Sequence, residues 1–207
     1  QNINFLMISA SYMFNLMFPS LLIIMFVITG EFSIAGELGL MASFWITLTQ
    51  IFSSNMRSII ISEQNINYAT MTSYFRIIFS IFVFLIFYQF SKNFVLFENS
   101  NLITLISVLI LSQWINEMNL VKIELKENDF KLKFIVILNI LITIIAILLI
   151  FFSKLNYLNY LITAYVFYIF FESFQNLLDI KSINKNIIQF IFKLNIQTIA
   201  FLSSFSI

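Results

Sequence analysis

Residues 134–153, FIVILNILITIIAILLIFFS, form a continuous run without a charged side chain. An α-helix needs about 20 residues to cross the ~30 Å hydrocarbon core of a bilayer, and this run is close to that length. Its apolar residues follow one another directly, whereas a membrane β-strand alternates apolar and polar residues. The run therefore predicts a transmembrane helix.

The composition of the whole chain agrees with this local prediction. Of its 207 residues, 60% are hydrophobic and only 10% are charged, whereas soluble domains have about 45–50% and about 25%. A soluble chain of this length would leave much of that apolar surface in water. We therefore expect an all-α membrane protein that has lipid as its solvent.

The same composition excludes several kinds of chemistry. The chain has no Cys and no His, so it offers no thiolate nucleophile, no Cys/His metal site and no imidazole base. Its three glycines fit neither a P-loop nor a dinucleotide fingerprint. A net charge of +1 with dispersed basic residues gives no attraction for nucleic acid. We expect no enzyme, no cofactor and no metal.

Charged residues divide the chain into segments, because a charge at the bilayer centre costs about 2.5–3.5 kcal/mol on insertion scales. The uncharged run 194–207 is short and predicts the start of a seventh span. The chain begins with Gln1 and lacks signal-peptide features, so we expect an internal fragment of a longer protein. The six full spans are predicted at roughly 5–29, 38–58, 71–91, 99–117, 134–153 and 157–178.

The basic residues alternate between the two sides of this topology, which the positive-inside rule uses to set orientation. The side rich in Lys and Arg is expected to be cytoplasmic, and the chain then begins in the cytoplasm. That side holds Arg57, Arg76, Lys122, Lys126, Lys131, Lys133, Lys181, Lys185 and Lys193, and the other holds Lys92 and Lys154.

Two segments on the basic side have helical patterns outside the spans. Residues 117–133 predict an interfacial helix or an extension of a neighbouring span, with Met118, Val121 and Leu125 on one face. Residues 180–194 carry an apolar stripe beside lysines spaced by four and predict an amphipathic cytoplasmic connector. The predicted domains are thus a six-span lobe at 1–179 and a connector with the truncated seventh span at 180–207.

Polar residues follow one face of the second span: Ser43, Thr47, Gln50, Ser54 and Arg57. One interpretation is hydrogen bonding between helices, with the arginine as an ordinary cytoplasmic anchor. The other is a water-filled cavity wall ending in a guanidinium that can bind phosphate bidentately.

Ionisable and helix-breaking residues in other spans are further candidates. Glu172 lies in the sixth span and is either a coupling-ion site, a counter-charge, or a headgroup-level residue beyond the span. Arg76 either reaches the interface or faces protein. Pro19 should kink the first span near Asn15, which lies on a polar face with Ser11.

The first two spans and their junction resemble the polysaccharide or oligosaccharide flippases of the multidrug/oligosaccharidyl-lipid/polysaccharide (MOP) exporter superfamily. That family commonly has a glycine-bearing turn between these spans and an Asn/Arg stretch at the cytoplasmic end of the second. The chain has fewer glycines than the family leads us to expect. The residues that carry the resemblance are GEF at 30–32, GELGL at 36–40, SFWI at 43–46 and FSSNMR at 52–57.

The resemblance implies two six-helix lobes around a central cavity, in a bacterial inner membrane, that expose a lipid-linked glycan alternately to each side. It implies that this chain is the N-terminal lobe, with membrane lipid, the glycan and the missing C-terminal lobe as partners. By position, Arg57 and Arg76 would bind phosphate, with Gln50, Thr47, Ser54 and Asn15 lining the cavity. Glu172 would be a coupling or counter-charge residue.

Two other classes of function stay open. One is another multi-span permease, such as a multidrug exporter or the membrane subunit of an ATP-driven exporter. The other is a membrane-embedded glycan polymerase or transferase, which generally needs a large catalytic loop or a cluster of ionisable groups. The longest predicted loop, residues 118–133, is too short for such a domain.

Overall fold

The chain is all-α in the part that the structure, a computed structural model, describes: residues 2–53, 56–94, 100–126 and 128–178. These ranges contain no β-strand. The predicted connector and the predicted seventh span lie outside the described residues. The helices are α1 (Asn2–Ile28), α2 (Phe32–Ser53), α3 (Met56–Glu63), α4 (Ile66–Phe94), α5 (Ser100–Leu125), α6 (Asp129–Phe151) and α7 (Leu155–Leu178).

Four helical segments of the described chain are long and apolar enough to cross a membrane. The all-α class is thus confirmed for the described residues, and these segments are compatible with the predicted membrane protein of several spans. Helices α1 and α7 occupy the positions of the first and sixth predicted spans, but their crossing stays a prediction. The four segments are Phe32–Glu63, which contains α2 and α3, Ile66–Gln89, Ser100–Leu125 and Phe130–Phe151.

Several predicted boundaries differ from the helices of the structure. Helix α4 begins at Ile66, five residues before the predicted span, and α5 continues to Leu125 instead of ending at 117. Residues 117–125 are therefore a helical extension, which is one of the two forms predicted for them. The physical reason is that Met118 and Val121 are buried against neighbouring helices.

Left-handed residues end three of the helices. Gly30 has φ of +84°, and the pair Gly30 N–H to Val27 O and Glu31 N–H to Phe26 O closes α1. This is the Schellman pattern, in which glycine adopts positive φ without a Cβ clash. Gln64 and Ser153 adopt φ of 50° and 54° at the ends of α3 and α6. The predicted glycine turn between the first two spans is thus present.

Helix α5 is the centre of the described bundle, because it packs against each of the other six helices. Its buried side chains include polar residues, among them Ser112, Gln113 and Asn119. The main apolar core lies beside it and includes the fully buried Trp45. Helix α6, in contrast, leaves much of its apolar surface exposed, as expected of a lipid-facing helix.

Interhelical hydrogen bonds connect α7 to both α6 and α5. The Tyr165 hydroxyl donates to Asn139 Oδ1 of α6 at 2.9 Å, and Asn119 Nδ2 of α5 donates to Ser173 Oγ at 2.7 Å. Tyr165 and Asn139 are both buried. Interhelical hydrogen bonds of this kind are worth about 0.6–2 kcal/mol in membranes.

We expect Tyr165→Phe to lower the free energy of unfolding by about 1 kcal/mol, because Asn139 Oδ1 loses its donor while the ring volume stays. Equilibrium unfolding in mixed micelles measures the difference. The matched control is Tyr160→Phe on the same helix, since Tyr160 is 72% exposed. A loss of the same size in the control would contradict the role of the buried hydrogen bond.

Candidate functional site

Four charged side chains make two ion pairs between α5 and the helices beside it. Arg57 of α3 pairs with Glu124, and Arg76 of α4 pairs with Glu117. The two carboxylates lie seven residues apart, about two turns along α5, and so share one face. We call these four residues the charge cluster.

The Arg76 pair is the more deeply buried of the two. The Arg76 side chain is 1% exposed, and its Nη1 donates to Glu117 Oε2 and to the Trp114 carbonyl, both at 2.6 Å. The guanidinium carbon also lies 4.8 Å from the Trp114 ring centroid. Of the two predicted arrangements, Arg76 thus adopts the one that faces protein.

The Arg57 pair is looser and more accessible. Its Nη2 lies 3.3 Å from Glu124 Oε2, and the side chains are 36% and 22% exposed. The Arg57 guanidinium carbon sits 3.6 Å from the centroid of the Tyr12 ring, which fixes it by a cation–π contact. Arg57 Nε is buried without a hydrogen-bond partner among the described residues.

Trp114 connects the charge cluster to α2. Its indole Nε1 donates to Ser53 Oγ at 2.8 Å, and Ser53 Oγ donates in turn to the Thr49 carbonyl at 2.8 Å. The same residue accepts the Arg76 hydrogen bond through its carbonyl oxygen. One side chain on α5 therefore positions groups from α2 and α4.

Two neighbouring cavities adjoin the cluster and share Ser53 and Glu117 as lining residues. The one that we call the polar cavity is about 570 Å³, and the apolar cavity is about 240 Å³. The polar cavity is lined by Ser53, Met56, Arg57, Ser58, Ile61, Ser62 and Glu117. The apolar cavity is lined by Tyr12, Pro19, Ile46, Thr49, Gln50, Ser53, Ile110, Gln113, Trp114 and Glu117.

The polar stripe predicted on the second span is only partly at these cavities. Arg57 lines the polar cavity and Gln50 the apolar cavity, whereas Thr47 is exposed and lines neither. Thr49 and Ser53, which the sequence analysis did not select, line the apolar cavity instead. Ser54 and the side chain of Asn15 lie outside the described residues.

Glu172 lies in another part of the bundle. It pairs with Lys131 of α6 at 2.5 Å, and its side chain is 19% exposed. It is not among the residues that line the two cavities. The structure thus gives Glu172 a lysine as its counter-charge, not one of the two arginines.

Glu117, Glu124 and Trp114 were missed by the sequence analysis. The predicted fourth span ended at Glu117, and Glu124 fell in the segment 117–133 that was predicted as an interfacial helix or a span extension, so neither carboxylate was considered as a partner of an arginine. A usable signal was present, because Glu117 and Glu124 lie on the same predicted membrane side as Arg57 and Arg76 and could pair with them. Their separation of seven residues indicates one helix face.

In the part of the chain that the structure describes, no group of three or more acidic, His or Cys side chains could hold a metal ion. The groups that the site presents are two guanidinium groups, two carboxylates and aromatic rings beside two cavities. Comparison of the chain with protein-family models, with curated proteins and with solved structures finds no match.

Proposed function

We propose that the chain is the N-terminal lobe of a membrane transporter that flips an amphipathic anion across the membrane by alternating access. The substrate class is a lipid-linked oligosaccharide, whose phosphate carries the negative charge. The observation that carries this proposal is Arg57, a partly exposed guanidinium that lines a cavity of about 570 Å³ between membrane helices.

The chemistry of Arg57 fits a phosphate. A guanidinium presents a planar fork of donors that matches two phosphate oxygens, and charge-assisted hydrogen bonds of this kind are the strong ones. Arg76 does not have this freedom, because it is buried against Trp114 and Glu117. We therefore assign phosphate binding to Arg57 and a positioning role to Arg76.

The two adjoining cavities support an amphipathic substrate. Serine hydroxyls and charged groups dominate the polar cavity, whereas aromatic and aliphatic side chains contribute to the apolar one. An apolar cavity of about 150 Å³ holds a benzene-sized molecule, so 240 Å³ accommodates a short hydrocarbon segment. The charged part of one molecule can occupy the polar cavity while its apolar part occupies the apolar cavity, since Ser53 and Glu117 line both.

The exposed polar face of α2 supports the proposal that a second lobe packs beside it. Thr47 and Gln50 are exposed on a segment that is apolar enough to span a membrane. Lipid does not satisfy such side chains, whereas another helix or water does. In the proposed transporter this face meets the central cavity and the missing C-terminal lobe, in a bacterial inner membrane with a cytoplasmic N-terminus.

The test is Arg57→Ala in the intact transporter, measured as export of the lipid-linked glycan. We expect a loss of about 10- to 100-fold, because a hydrogen bond to a charged group is worth about 1.5–3 kcal/mol. Arg57→Lys should lose less, since it keeps the charge but not the fork. Glu63→Gln, an exposed site on the same helix, is the control and should export normally.

Membrane insertion is measured for each variant, so that loss of export is separated from loss of protein. Normal glycan export by a correctly inserted Arg57→Ala protein would remove the phosphate-binding role. Loss of export in Glu63→Gln to the same extent would show that any charge change on α3 disrupts transport, and would also contradict the assignment.

A further inference from the structure

We propose that Glu124 is the built-in counter-anion of Arg57, and that an anionic ligand binds by displacing it. The ligand class is a phosphate group, either on an amphiphile or free. This inference rests on the proposed function, since it takes Arg57 as the phosphate-binding residue. It adds that binding is an exchange of one anion for another at an existing cation.

The two ion pairs differ in how tightly the arginine is held. Both carboxylates are on α5 and both partners are arginines, but Arg76 makes two contacts of 2.6 Å and is enclosed by protein. Arg57 makes one contact of 3.3 Å to its carboxylate. A single long contact between partly exposed groups is a weak one, so the Arg57 pair is the one that can open.

Arg57 stays oriented when the Glu124 carboxylate moves away. The Tyr12 ring stacks on its guanidinium at 3.6 Å and does not depend on the carboxylate. Arg57 uses one nitrogen, Nη2, for its ion pair, so a guanidinium with five N–H donors keeps donor capacity for an incoming oxygen. Arg57 lines the polar cavity and Glu124 does not, so the ligand approaches from the open side.

Exchange also explains how the site discriminates between anions. Glu124 offers one carboxylate oxygen to one guanidinium nitrogen. A phosphate can offer two oxygens to the fork in a bidentate arrangement, which a monodentate carboxylate does not match. A ligand with a single weak anionic group does not displace Glu124, and a cation gains nothing from the site.

The experiment is isothermal titration calorimetry of the full chain in micelles of a neutral detergent, with two probes. Dodecyl phosphate represents a lipid headgroup, and inorganic phosphate represents the free anion. For Glu124→Gln we expect the Kd of the probe to fall about fivefold, the upper range for the loss of a partly exposed ion pair. Glu124→Asp, which keeps the charge on a shorter side chain, should give a smaller decrease.

The matched control is Glu63→Gln, which removes one negative charge from the same helix as Arg57 and should leave the Kd unchanged. Arg57→Ala should abolish binding in both the wild-type and the Glu124→Gln background. A thermal melt of each variant confirms that it is folded before titration. Tightening with dodecyl phosphate alone supports exchange with a lipid-borne phosphate, and tightening with both probes supports exchange with phosphate in general.

Three results would overturn the proposal, and they differ in what they leave standing. If wild-type binds with a dependence on Arg57 but folded Glu124→Gln and Glu124→Asp bind no more tightly, Glu124 is not a competitor and only the exchange fails. If no protein shows binding that depends on Arg57, the phosphate-binding role in the proposed function fails with it. An equal fall of the Kd in Glu63→Gln would mean that the change in net charge alone tightens binding, and it would also overturn the exchange.

Discussion

Glu117→Leu is expected to lower the free energy of unfolding by about 3 kcal/mol, one of the two largest stability effects that we predict for the described bundle. The substitution leaves Arg76 with a positive charge at a site where its side chain is 1% exposed. Removing one partner of a buried ion pair typically costs 3–5 kcal/mol, because the other charge stays in a low-dielectric surrounding. We take the lower end because Glu117 is itself 23% exposed.

The double variant Arg76→Met, Glu117→Leu distinguishes this explanation from a simple loss of contact. Replacing both members of a buried pair by apolar residues of similar size is often neutral, so the double variant should recover most of the stability. Equilibrium unfolding in mixed micelles measures both proteins. If the double variant were as unstable as Glu117→Leu alone, the uncompensated charge would not be the cause.

Trp114→Ala is expected to lower the free energy of unfolding by about 3–5 kcal/mol, the range for removing a large buried aromatic side chain. Trp114 is 6% exposed. Its ring contacts Arg76 and Phe79, and its indole binds Ser53. The substitution removes these contacts together and joins the space of the side chain to the apolar cavity that it lines.

Trp114→Phe is the matched variant, because it keeps most of the ring volume and removes the Nε1 donor. We expect a loss of about 1 kcal/mol, the usual net worth of one hydrogen bond. The same unfolding measurement compares the two variants. A loss as large in Trp114→Phe as in Trp114→Ala would mean that the hydrogen bond to Ser53, and not packing, stabilises this junction.

The positions of the helices could be predicted from residue types alone. The uncharged run 134–153 predicted α6 and the span 99–117 predicted most of α5, because a charge inside lipid is costly along a span. The glycine-bearing turn that the family resemblance implied is present at Gly30, where glycine adopts a positive φ without a Cβ clash. Helix ends were predicted less well where a helix continues beyond the apolar run, as at Leu125.

The site was predicted only in part, because the face of a helix that lines a cavity depends on where the neighbouring helices lie. Arg57 and Gln50 were selected and do line cavities, but Thr47 on the same stripe is exposed, and Thr49 and Ser53 line the cavity instead. A polar stripe indicates that a helix has a preferred side. It does not show which residues of that side the adjacent helix covers.

By itself, the amino-acid sequence determined the helical class, an apolar composition compatible with lipid, the approximate positions of the helices and the absence of thiol and imidazole chemistry. These follow from free energies of transfer and from side-chain chemistry, which are properties of individual residues. Only the tertiary structure decided that Arg76 pairs with Glu117, 41 residues away, and Arg57 with Glu124, 67 residues away. Ion pairing depends on the distance between two groups, and that distance is set by how α3, α4 and α5 pack.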